Sequence, residues 1–192
     1  MQHEPIVNNI FDTQPDFSGK AMKVLLYQYA NNAVYRQWND FLNIDIASVS
    51  SLNAIPFLPI SFFKTHKVVC GDFIADHIFE SSGTTQSATS RHYVKKGAIY
   101  TESFFKAFEI FYGAAKDWCI IGLLPSYLER KNSSLILMVD ELIKASYHLK
   151  SGFYLDDFEK LYNVLQLLES RQQKTLLIGV TFALLDFAEQ YP

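Results

Sequence analysis

The segment Phe79-Glu80-Ser81-Ser82-Gly83-Thr84-Thr85 carries the clearest chemistry in the chain. A short apolar run, His77-Ile78-Phe79, gives way to five consecutive small residues, four of them hydroxylated. Without bulky side chains, backbone N–H groups and hydroxyls can converge on an anion, and a phosphate is the natural candidate. Gly83 supplies the backbone angles that such a wrap needs. The competing reading is an ordinary Ser/Thr/Gly turn that satisfies its own backbone.

Two familiar phosphate loops do not fit. The Walker pattern G-x-x-x-x-G-K-[ST] needs a lysine close behind the glycine, but none follows Gly83 before Lys95. The dinucleotide fingerprint needs partner glycines at G-x-G-x-x-G spacing, and Gly83 has none. A G-x-S-x-G nucleophile elbow is also missing from the sequence, which counts against a lipase or thioesterase.

Ser81-Ser82-Gly83-Thr84-Thr85 resembles the phosphate loop of the adenylate-forming superfamily, which includes acyl-CoA synthetases, peptide-synthetase adenylation domains and firefly luciferase. The flanks narrow the resemblance. Leu58-Pro59-Ile60-Ser61-Phe62-Phe63-Lys64 precedes the loop and Ser90-Arg91-His92-Tyr93-Val94 follows it. Leu124-Pro125-Ser126-Tyr127-Leu128-Glu129-Arg130, Asn132-Ser133-Ser134-Leu135 and Ile178-Gly179-Val180-Thr181 come later. In order and spacing these are similar to the acyl-protein synthetase branch, relatives of the fatty-acid-activating subunit of bacterial bioluminescence. The likeness runs from about residue 10 to the end. Gln86 departs from it where many members have glycine, and the lysine usual just beyond is absent.

The resemblance implies ATP-dependent activation of a carboxylate, a fatty or other acyl acid, as acyl-adenylate, followed by transfer to a thiol or protein acceptor. Ser81, Ser82, Gly83, Thr84 and Thr85 would hold the ATP phosphates, with Thr84 or Thr85 meeting magnesium. Arg91 could reach phosphate or be merely solvated. His92 could orient an oxygen or face the acyl carboxylate, or serve as a structural hydrogen bonder. Pro125, Ser126 and Tyr127, with Gly179, Val180 and Thr181, would line the carboxylate's pocket; Glu129 and Arg130 read as solvated or paired. The family's ribose-binding, magnesium-closing and mobile-lysine elements would lie beyond Pro192. The chain is therefore expected to be the front portion of an enzyme, inactive alone. The alternatives are a non-catalytic acyl- or protein-binding domain of the same fold, or an ATP-independent acyltransferase.

Composition bounds the choices. At 192 residues one domain can bury about 70% of its unfolded surface. A hydrophobic share of 49% against 19% charged residues excludes disorder as a default. The 16 Phe and 11 Tyr would fill a core, line an acyl pocket or leave an apolar face that favours a homodimer. A net charge of −3 provides no footprint for nucleic acid. Cys70 and Cys119 have neither metal nor redox spacing and read as small buried hydrophobes, while His66, His77 and His148 read as structural. No signal peptide opens the chain, and no apolar run reaches the roughly 20 residues needed for a bilayer, so a cytoplasmic location is expected.

The elements that must position these residues follow from periodicity. Residues 1–20 read as an arm, and a helical stripe of Met22, Leu25, Leu26 and Tyr29 continues to Trp38 and Phe41. Pro56 and Pro59 force an extended stretch, with candidate strands at Val68–Cys70, Ala75–Phe79 and Arg91–Val94. A helix is expected from about Ala98 to Tyr112, stopped by Gly113, then a buried strand over Trp118–Leu124. Further helices are expected from Ser133 or Ser134, from Asp156 or Asp157 and after Gly179, with a strand at Thr175–Ile178. This alternation predicts one α/β domain over residues 1–192, with a doubly wound, mostly parallel sheet and flanking helices. In such a sheet Ser81–Thr85, Pro125–Arg130 and Gly179–Thr181 would share the rim at the strands' carboxyl ends.

Overall fold

The helical stripe that begins near Ala21 forms two helices, α1 (Phe17–Asn31) and α2 (Ala33–Phe41), in a computed structural model that describes residues 10–11, 16–81, 89–124 and 132–192. Asn32 divides them. Its extended backbone ends α1, and its side-chain oxygen accepts the Tyr35 N–H at 3.1 Å to cap α2. The backbone forms two units, Met1–Lys96 and Gly97–Pro192, each with apolar clusters of its own.

In the first unit Leu25, Tyr35 and Ile46 make a buried centre, with Met22, Tyr29, Ile55 and Leu58 packed around it. The Tyr35 hydroxyl donates to the Pro56 carbonyl at 2.6 Å, tying the proline-rich stretch to α2. A one-turn helix, α3 (Phe62–Thr65), follows that stretch. No strand forms at Val68–Cys70. Gly71, at φ +69°, turns the chain there, and its N–H donates to the Asn31 carbonyl at the end of α1. Among the described residues of this unit, β1 (His77–Glu80) and β2 (Arg91–Val94) pair antiparallel, with Phe79 opposite His92 and Glu80 opposite Arg91.

The second unit is α/β. Its order is α4 (Gly97–Tyr112), β3 (Cys119–Leu123), α5 (Ser134–Ser146), β4 (Gly152–Phe153), α6 (Phe158–Ser170), β5 (Thr175–Gly179) and α7 (Thr181–Gln190). The three strands are parallel in the order β4-β3-β5. Along β3, side chains alternate between two layers, as a pleated strand requires. Cys119, Ile121 and Leu123 pack with Leu161, Val164 and Leu168 of α6 and Ala183 and Phe187 of α7. Ile120 packs instead with Phe104 and Phe108 of α4 and Leu142 of α5. The sheet is covered on both faces, and every residue of β3 is buried. Each fully buried isoleucine there contributes about 1.5–3 kcal/mol.

Caps fall where short polar residues precede apolar periodicity. Ser133 Oγ accepts the Ile136 N–H, and an Asp157 carboxylate oxygen accepts the Lys160 N–H at 3.1 Å. Gly113, at φ +81°, ends α4. The sequence gives no sign of β4, whose two residues are too few to show an alternation. Among the described residues no helix is long and apolar enough to cross a membrane.

Candidate functional site

The hydroxyl-rich residues Ser82, Gly83, Thr84 and Thr85 lie outside the described residues, as do Pro125, Ser126, Tyr127, Glu129 and Arg130. What frames the first group is an antiparallel hairpin. The Ser81 N–H donates to the Ser90 carbonyl at 3.1 Å, and the Ser90 N–H donates to Ser81 Oγ, also at 3.1 Å. These two bonds clasp Ser81 to Ser90. Ser81's amide is committed inside the protein, so any anion contact from this residue must come from its hydroxyl. That hydroxyl accepts from Ser90 and keeps its own proton to donate.

This arrangement corrects the single shared rim. β1 pairs only with β2, and that pairing is antiparallel, so Ser81 stands at the mouth of a hairpin and not at the carboxyl end of a parallel strand. The physical reason is local. The chain reverses between Glu80 and Arg91 and pairs at once with itself, which a parallel connection of that length could not do.

Arg91 Nε lies 3.1 Å from Glu80 Oε1, across the hairpin at directly opposed positions. Arg91 is exposed and Glu80 half-buried, so water screens the pair and a phosphate would have to compete with it only modestly. His92, the next residue, meets the ring of Phe63 edge-on with centroids 5.9 Å apart. Desolvation lowers its pKa from the usual 6.5 although part of the ring stays open to solvent, so the neutral imidazole is favoured.

His92 also lines a pocket of about 680 Å³ built wholly within the first unit. α1 contributes Val24, Leu25 and Gln28; the proline-rich stretch contributes Phe57 and Leu58; the turn before β1 contributes Val68, Val69, Cys70 and Phe73. Polar groups in its wall are bound to one another. Gln28 Oε1 accepts from Asn32 Nδ2 at 3.1 Å and from the Cys70 thiol at 3.2 Å, while Tyr35 is tied to Pro56. Burial pushes the Cys70 thiol up, partly offset by the Gln28 bond, so it is a poor nucleophile at neutral pH. Cys119, inside β3, is raised for the same reason, offset in part by Ser151.

In the second unit Gly179, Val180 and Thr181 fall where expected, at the carboxyl end of β5, with Gly179 in register with Leu123 of β3. Beyond β3 the chain goes to α5 on one face; beyond β5 it goes to α7 on the other. Adjacent parallel strands whose connections leave to opposite faces open a crevice at their carboxyl ends, the usual ligand position in such sheets. Val180 begins α7 without a side-chain cap. Gly179 is there of necessity, since a Cβ would lie 2.9 Å from Leu184 and 3.0 Å from the Leu123 carbonyl oxygen.

Sequence reasoning named His92 but missed Lys20, Cys70 and Lys95, which also line the pocket. They come from separate segments with no common spacing, so no motif could have joined them. No family model, curated protein or solved structure matches the chain.

Proposed function

We propose that the chain belongs to an adenylate-forming carboxylate-activating enzyme of the acyl-protein synthetase type. The observation that carries this reading is the Ser81–Ser90 clasp, which holds the ends of the hydroxyl-rich segment together on a two-stranded hairpin. The ordered motifs on either side of it add support, as does the place of Gly179, Val180 and Thr181 at the carboxyl end of β5.

In this reading the carboxylate oxygen attacks the α-phosphorus of ATP, an acyl–phosphate bond forms, and pyrophosphate leaves. Magnesium would supply charge neutralisation on the phosphates. The chain's part is positioning and donation of hydrogen bonds. The Ser81 hydroxyl, with Ser82, Thr84 and Thr85, would hold the phosphate tail. His92, kept neutral, would orient a carboxylate oxygen without adding a charge. Gly179, Val180 and Thr181, with Pro125, Ser126 and Tyr127, would line the pocket for the reacting carboxylate.

Calorimetry with ATP, AMP and a hydrolysis-resistant acyl-adenylate analogue tests the reading. Binding of the analogue, weakened in Ser81→Ala, is expected; no heat with any of the three would overturn it. A second reading, an acyl-binding domain without the chemistry, is favoured by the apolar pocket of the first unit. It predicts stabilisation by fatty acid with no effect of nucleotide on thermal unfolding.

A further inference from the structure

The parallel sheet of the second unit has two unlike edges. β4, on one side, is 2 residues long. β5, on the other, has 5 residues, none of them charged or proline, and its register to β3 is unbroken. A strand that ends a sheet leaves backbone N–H and C=O groups open to another strand, and charge, proline or a bulge normally blunts it. The nearest cation does not guard this edge. Lys174 holds its ammonium 5.8 Å from the centroid of the Trp118 ring, on the residue that precedes β3. Which groups are open follows from the ladder. The Cys119 N–H donates to the Lys174 carbonyl at 2.8 Å, so Lys174 faces β3. Backbone groups alternate in direction along a strand, so those of Leu176 and Ile178 also face β3, and those of Thr175, Leu177 and Gly179 point away. Among the described residues no strand and no loop amide pairs with these three on their outer side.

We propose that β5 binds a second copy of this chain, the two parallel sheets joining edge to edge about a twofold axis at Leu177. The outward residues are symmetric about Leu177, so an antiparallel copy of the strand meets them in register. Leu177 then stands opposite Leu177 of the copy and Thr175 opposite Gly179, and each such pair exchanges two N–H···O bonds. The side chains agree with this register. Leu177 packs in the layer of α6 and α7, while Leu176 and Ile178 pack in the layer of α4 and α5. Opposed residues share a face, so Leu177 meets its copy on one side of the joined sheet and Leu176 meets Ile178 on the other. No like charges oppose one another along the strand, because Lys174 comes opposite Val180. A strand pair alone is smaller than the roughly 1,200–2,000 Å² of a stable complex. α4 and α7, which cover β5 on its two faces, supply further apolar area through the exposed Phe111, Phe182 and Leu185. The inference is independent of the adenylation reading and needs no nucleotide.

The test is sedimentation velocity of the full chain over a concentration series, with hydrogen exchange of the β5 amides measured on the same samples. A monomer–dimer equilibrium is expected. The Leu177 amide should exchange more slowly as dimer fills, while those of Leu176 and Ile178, bonded to β3 throughout, should not change. Thr175→Pro removes an outward N–H and no bond to β3, so the sheet should stay folded by circular dichroism. It should raise the monomer–dimer midpoint about tenfold or more, since the twofold axis deletes the bond twice. Leu177→Cys places two sulfurs on Cα atoms about 5.5 Å apart across the axis, within reach of a disulfide, and oxidation should give a covalent dimer. Leu176→Cys, opposite Ile178, should not. A monomer at every concentration would overturn the proposal and leave the edge to a strand of another sequence. So would a dimer whose Leu177 amide exchanges at the monomer's rate, or equal covalent dimer from the two cysteine variants.

Discussion

Ser81 and Ser90 are joined twice, backbone N–H to carbonyl in one direction and backbone N–H to hydroxyl in the other, each at 3.1 Å. The second bond depends on one oxygen atom. Ser81→Ala removes it and leaves the Ser90 N–H to water. The expected loss is about 0.5–1 kcal/mol of unfolding free energy, small because the bond is exposed. Hydrogen exchange at the Ser90 amide should quicken, while Ser81→Thr should preserve its protection. Unchanged Ser90 exchange in the alanine variant would show that the hydroxyl holds nothing.

Three glycines of the parallel sheet should respond differently to alanine. At Gly122 a Cβ would meet the Phe153 ring at 2.6 Å and Val139 at 3.1 Å, and at Gly179 it would meet Leu184 and the Leu123 carbonyl. Gly152 has nothing within 4 Å. Gly122→Ala and Gly179→Ala should each cost about 1–3 kcal/mol by overpacking. Gly152→Ala should be neutral or slightly stabilising through the unfolded chain. Urea unfolding of the three variants measures this, and equal effects at all three would contradict the packing described.

His92 should leave a signature on the acid side. Desolvation lowers its folded-state pKa below 6.5, so the unfolded chain takes up a proton more readily than the folded one. As pH falls through that interval the folded state loses stability; above it, where both forms are neutral, the term vanishes. His92→Gln should therefore narrow the fall in Tm between about pH 7.5 and about pH 5. An NMR titration of the imidazole should give a midpoint under that of a free histidine. A midpoint above 6.5 would mean that a carboxylate, and not burial, governs the ring.

Much of the second unit was legible in the sequence because its signals are local. Ser133 and Asp157 announce helix starts, Gly113 announces a stop, and the apolar run around Ile120 and Ile121, too short for a buried helix and bounded by Asp117 and Pro125, reads as a strand covered on both faces. The first unit was harder. Apart from the single turn of α3, its residues between Ile55 and Phe73 form no regular element, so Val68–Cys70 looks like a strand by composition while its neighbour Gly71 bonds to the end of α1.

Residue types alone determined that a hydroxyl-rich segment follows a short strand, that His92 lies on the next strand, and that Gly179-Val180-Thr181 joins a buried strand to a helix. The tertiary structure decided the rest: that the strands on either side of that segment pair antiparallel, that His92 shares a pocket wall with Lys95 and Val24, and that β3 and β5 lead to helices on opposite faces. The division has a physical cause. Caps, turns and periodicity act over a few residues and are written in the order of the chain, whereas strand partners and cavity walls are chosen by which distant apolar surfaces exclude water together.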